Sequence, residues 1–196
     1  MALQSLLISI SAIGVISTFP PFNLYWLLPF SLLPFIYTIK KTKQPILYST
    51  LFGLIYMGLT NYWIFELIEF SSVIEITFLF IGYTLIETLF FTLMGLLIHK
   101  THNSLWSIPS CWVITEWLRS IGPFGSANGI IAYSQANNAL INHTASLGGV
   151  YFTSFICISL SCLIYALITS IHSKNIKKRN FISISIALII FSSYGY

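Results

Sequence analysis

Between Val73 and Ile98 the chain carries only two charged side chains, Glu75 and Glu87, among residues that are mostly Leu, Ile, Phe and Thr. A helix of about 20 apolar residues crosses the hydrocarbon core of a bilayer. A stretch of this kind therefore belongs either to the centre of a large soluble protein or to a membrane. The rest of the sequence decides between them. Of 196 residues 56% are hydrophobic and 7% charged, whereas a soluble domain carries about a quarter charged residues to coat its surface. Disorder is excluded as well, since it requires low hydrophobicity and high charge. The fold class expected is all-α, a polytopic membrane helix bundle.

Further stretches of similar character divide the chain into about seven expected spans, near residues 3–19, 24–39, 45–65, 73–98, 105–121, 146–171 and 181–196. Spans in lipid must satisfy their own backbone, which favours helices, and no alternating barrel pattern is present. The loops test the division. Lys40, Lys41 and Lys43 follow the second span, Lys100 the fourth, and Lys174, Lys177, Lys178 and Arg179 the sixth. The loop after the third span holds Glu66, Glu69 and Glu75 and no basic residue. By the positive-inside rule the N-terminus is expected in the cytoplasm and the C-terminus outside. The net charge of +4 is accounted for by these loops and implies no nucleic-acid partner. The first span lacks the basic start and small-residue cleavage site of a signal peptide, so it is expected to be retained. One domain is expected over residues 1–196.

Five polar residues stand out as site candidates. Glu116 and Arg119 lie three apart in Trp112-Val-Ile-Thr-Glu-Trp-Leu-Arg119, a spacing that puts them on one helix face and close enough to pair. Two readings remain open: an ion pair that fixes the fifth span against its neighbours, or contact with a lipid headgroup phosphate. Glu87 lies mid-span, where an ionisable group needs a partner inside the bundle. Tyr83, Thr84 and Thr88 are the partners its own helix offers. Tyr133 and Gln135 belong to the outer loop 122–145, where glycines and Pro123 interrupt an otherwise apolar stretch. That loop is expected to be partly inserted or interfacial, a plain connector being the alternative. The four histidines do not cluster as metal ligands, and Cys111, Cys157 and Cys162 sit in apolar stretches without a CxxC pattern. No hydrolase, nucleotide-binding or metalloprotease motif is present. The residues alone therefore call for no catalytic site, metal or cofactor.

Several motifs taken in order are more specific. Phe19-Pro-Pro-Phe-Asn-Leu-Tyr-Trp26, Gly58-Leu-Thr-Asn-Tyr-Trp63, Pro109-Ser-Cys-Trp-Val-Ile-Thr-Glu-Trp-Leu-Arg119, Ala132-Tyr-Ser-Gln135 and Gly148 follow one another along nearly the whole chain. In this the sequence resembles the N-terminal membrane domain of bacterial apolipoprotein N-acyltransferases. It differs in having Gly125-Ser-Ala-Asn128 where the family often shows Gly-Phe-Pro-Trp. The resemblance implies a place in the bacterial inner membrane, with phospholipid and lipoprotein as substrates. In that family an acyl chain passes from a phospholipid to the α-amino group of a diacylglyceryl-cysteine. A Glu-Lys-Cys triad in a nitrilase-like domain does the chemistry through a thioester. No counterpart of the triad is found here, so no catalytic residue is carried over. The expectation is a truncated or split enzyme, inactive alone, whose catalytic half is a separate chain. The alternatives are a small transporter or channel, with Glu87 as its best support, and a lipid-binding scaffold without enzymatic activity.

Overall fold

The computed structural model describes residues 1–122 and 125–172. The described residues are helical and contain no strand. Helix α1 spans Ala2–Ile16, α2 Leu28–Ser31, α3 Leu33–Lys41 and α4 Pro45–Thr60; then come α5 (Val73–Lys100), α6 (Ile108–Ser120), α7 (Ala139–Asn142) and α8 (Ala145–His172). Turns of 3-10 helix cover Asn61–Glu69 and Ile131–Gln135.

The long helices close into a ring. Helix α1 packs on α4, α4 on α5, α5 on α6, α6 on α8, α8 on α2 and α3, and α3 back on α1. Lipid gives helices no hydrophobic reason to associate, so close packing must supply the attraction, and small residues permit it. The α4–α5 pair, the most extensive in the bundle, is built this way. A Cβ added at Gly95 would stand 2.7 Å from the Ile46 Cα, and one at Gly53 would stand 2.4 Å from the Phe91 Cβ. The ring's interior is filled by Phe35 of α3, Phe52 and Tyr56 of α4, Phe91 of α5 and Trp112 of α6. Their ring centroids lie 4.9–5.9 Å apart, within the range of favourable tilted and edge-to-face aromatic pairs.

Prolines and glycines shorten several expected spans. The second is broken at Leu32, because Pro29 and Pro34 each begin a new helix, as a residue without a backbone N–H does. The fifth yields only the 13 residues of α6, with Pro109 in its first turn. The sixth is interrupted at Gly148 and Gly149, the latter at φ 70, a conformation glycine adopts without strain. Among the described residues three helical segments are individually long and apolar enough to cross a membrane: Pro45–Glu69, Val73–Lys100 and Ala145–Ile171. Helix α1 is shorter, and the expected span 181–196 lies outside the described residues. Glu75 is not a loop residue as the sequence reading had it. Its carboxylate accepts the Ser72 N–H at 3.1 Å while the Ser72 hydroxyl accepts the Glu75 N–H at 3.3 Å, a capping box that starts α5.

The connections sort to two ends. Lys40 Nζ donates to the Asn103 carbonyl at 2.5 Å, and Asn103 Nδ2 donates to the carbonyls of Ile39 and Thr42 at 3.2 Å. The lysine-bearing connections after α3 and α5 thus meet at one end. At the other, Asn128 Nδ2 donates to the Thr60 carbonyl at 3.4 Å and Gln135 Nε2 to the Tyr25 carbonyl at 3.1 Å. The segments after α1, α4 and α6 gather there.

Candidate functional site

The site begins where α4 loosens. Beyond Thr60 the chain tightens into 3-10 helix, and Asn61, fully buried, turns its amide toward α5. Asn61 Nδ2 donates to Glu87 Oε2 at 2.6 Å and reaches Thr84 Oγ1 at 3.4 Å. Glu87 Oε1 accepts from Arg119 Nη1 of α6 at 2.8 Å, and both side chains of this ion pair are 1% exposed. Arg119 also lies 3.7 Å from the Met57 sulfur. An arginine stays charged in any protein setting, so a counter-charge at this depth is what makes its burial tolerable.

This arrangement corrects two expectations. Glu116 and Arg119 share a face of α6 but form no ion pair; Arg119 pairs across the bundle with Glu87. Glu87 in turn takes its partners from α6 and the end of α4 in place of its own helix neighbours. Thr88 is engaged elsewhere, its hydroxyl donating to the Thr84 carbonyl at 2.7 Å.

Glu116 has a different task. Its Oε1 accepts Trp112 Nε1–H at 3.0 Å and the backbone N–H of Ile131 at 2.8 Å. One carboxylate oxygen therefore ties the aromatic interior to the loop that follows α6. More bonds hold that loop down. The Ser126 N–H donates to the Arg119 carbonyl at 2.9 Å, Tyr56 Oη to the Gly129 carbonyl at 2.8 Å, and the Ala132 N–H to Ser154 Oγ at 3.2 Å. Asn128 Nδ2 donates to Asn61 Oδ1 at 3.3 Å. Residues Ile130, Ile131, Ala132, Ser134 and Gln135 are buried in consequence.

Tyr133 and Gln135, adjacent in motif, part company in space. Tyr133 is 48% exposed on the outer face of its turn, whereas Gln135 is buried and anchors the turn to Tyr25 and Ser134. Of the five residues singled out, Glu87 and Arg119 form one buried ion pair, Glu116 is buried one helical turn before Arg119 with bonds of its own, Gln135 pins the turn after Ile130, and Tyr133 faces outward. Asn61 and Asn128 escaped attention. Asn61 stood inside a quoted motif, and a polar residue where an apolar span ends is the signal that marks it. Among the described residues no three His, Cys, Asp or Glu side chains gather as metal ligands, and all three cysteines are free and buried.

Apolar helices closed into a ring, with a carboxylate–guanidinium pair sealed between them, define an all-α bundle of the polytopic membrane type. Residues 11–163 match the N-terminal domain of apolipoprotein N-acyltransferase, a stretch that takes in every residue of the network just described. The chain belongs to that family. It is also similar to apolipoprotein N-acyltransferase 1 of Treponema denticola, at 29% identity over 133 residues. That similarity covers 67% of this chain and 24% of the relative, so the chain spans about a quarter of the relative's length.

Proposed function

We propose that these 196 residues form the membrane-embedded part of a bacterial apolipoprotein N-acyltransferase, serving acyl transfer from a phospholipid to the N-terminal diacylglyceryl-cysteine of a lipoprotein. The observation that carries this reading is the family match over residues 11–163, which includes the buried network and the loop it holds. In this reading the network presents residues 125–138 at the end away from the lysines, and Tyr133 faces the lipid substrate. Glu87, Glu116 and Arg119 hold the bundle and the loop, and Gln135 fixes the turn that carries Tyr133. The lysine end lies in the cytoplasm and the opposite end outside, as the positive-inside rule requires.

Acyl transfer through a thioester needs an activated, accessible thiol, and Cys111, Cys157 and Cys162 are all buried. As the family resemblance implies, the nucleophile comes from a nitrilase-like domain, joined to these residues or carried on another chain, and in this reading the 196 residues alone do not acylate. The test is reconstitution in phospholipid vesicles with a diacylglyceryl-cysteine lipopeptide as acceptor. The 196-residue chain alone is expected to form neither thioester nor acylated amine, and activity is expected once a nitrilase-like domain is supplied, fused or in trans. Activity of the chain alone would overturn its dependence on a second domain. Transport across the same vesicles that disappeared in Glu87→Gln would overturn the acyltransferase reading itself.

A further inference from the structure

A guanidinium offers five N–H donors in a fixed planar fork, and the protein meets only part of this one. Arg119 Nη1 is engaged by Glu87. Arg119 Nε and Nη2 have no hydrogen-bond partner although the side chain is sealed from the surface. One helical turn earlier, Glu116 commits Oε1 to Trp112 and Ile131 and leaves Oε2 without a partner. The Ser154 hydroxyl, which accepts the Ala132 N–H, is itself in hydrogen-bonding position to that carboxylate. Buried polar groups are almost always satisfied, and leaving one bare costs about 1–3 kcal/mol, more when it is charged. Two orphaned donors and an orphaned acceptor one turn apart on the same helix form a complementary set.

The bridging group must fit a packed interior, accept from a guanidinium and donate to a carboxylate. An anion would meet the charges of Glu87 and Glu116, and a cation would meet Arg119. Water satisfies all three demands, and it binds in polar interior sites that offer two to four partners. We propose that α4, α5 and α6 enclose an ordered-water site, in which water accepts from Arg119 Nε and Nη2 and donates to Glu116 Oε2. The water joins the Glu87–Arg119 pair to the carboxylate that holds Ile131. Ion pair and loop then form one continuous hydrogen-bonded unit.

The three methionines of the chain supply the test. Met1 is exposed, Met57 is buried against Arg119, and Met94 is buried in the apolar core. X-ray radiolysis generates hydroxyl radicals from bulk and bound water alike, and the radicals oxidise side chains next to the water that produced them. The full chain in lipid nanodiscs, irradiated in heavy-oxygen water, is expected to show dose-dependent oxidation of Met1 and Met57 and none of Met94. A radical scavenger confined to the bulk is expected to protect Met1 and leave Met57 labelling unchanged. Met57 as inert as Met94, or protected as fully as Met1, overturns the proposal. In the double variant Glu87→Leu, Arg119→Leu the labelling of Met57 is expected to be lost while that of Met1 persists; retention of the Met57 label also overturns it. Should that variant not fold, the scavenger comparison in the unaltered chain decides alone.

Discussion

Phe52 and Asn61 lie on one continuous helical run, both wholly shielded from the surface, yet they face different kinds of interior. Phe52 meets the rings of Phe35, Tyr56, Phe91 and Trp112. Asn61 meets the carboxylate of Glu87 and the amide of Asn128. The aromatic region holds α3, α4, α5 and α6 together by shape, through many weak contacts that no single atom dominates. The polar region holds α5, α6 and the loop after α6 by a few directed bonds, each of which needs a particular partner. Trp112 belongs to both, with its ring in the first and its N–H in the second. Packing of rings closes the bundle, then, and the buried charges select which side of α6 faces α5 and where the following loop lies.

That contrast breaks most severely at the ion pair. Glu87→Ala leaves Arg119 charged and unpaired, a loss on the order of 3–5 kcal/mol, to be read as lowered thermal stability in detergent. Replacing both partners with leucine is expected to restore much of the loss, since apolar pairs of similar volume often substitute for buried ion pairs. If Glu87→Ala were no worse than the double variant, the pair would not be the organising contact. Trp112→Phe sharpens the comparison further, because it keeps a ring in the aromatic region and removes the donor to Glu116. A loss of about 1–3 kcal/mol is expected, with faster proteolysis between residues 125 and 135; stability loss without loop exposure would separate Glu116 from the loop. The smallest effect belongs to Thr50→Val, which deletes the hydroxyl pair at 2.9 Å between α4 and α5. Interhelical hydrogen bonds of this kind average about 0.6 kcal/mol in membrane proteins. A loss rivalling that of Glu87→Ala would erase the distinction between scattered polar contacts and the charged network.

Much of the architecture was legible before any coordinates. The lysines after α3 and α5 and their absence after α4 correctly paired the connections by end, since that asymmetry depends only on residue type and order. Proline positions were visible too. Pro29 and Pro34 lie inside the expected second span and divide it, because a residue lacking an N–H begins a new helix more readily than it continues an old one. Within the site the spacing of Glu116 and Arg119 put them on one helix face and left open whether they pair; in the structure Arg119 pairs with Glu87. Spacing reports neighbours along a helix, and it cannot report the neighbour that a different helix brings closer.

The order and kind of residues by themselves determined an all-α chain of apolar helices, its basic and non-basic ends, its kinship with the acyltransferase membrane domain, and the scarcity of charge along its helices. These follow from local physics: the length an apolar helix needs, the cost of exposed backbone in lipid, and the cost of charge there. Only the tertiary structure decided that Arg119 answers to Glu87, that Asn61 completes the pair, and that Glu116 holds Ile131. Those partners lie 32, 26 and 15 residues apart in sequence. A hydrogen bond depends on distances of a few tenths of an ångström, and such distances are fixed by the way the helices close into a ring.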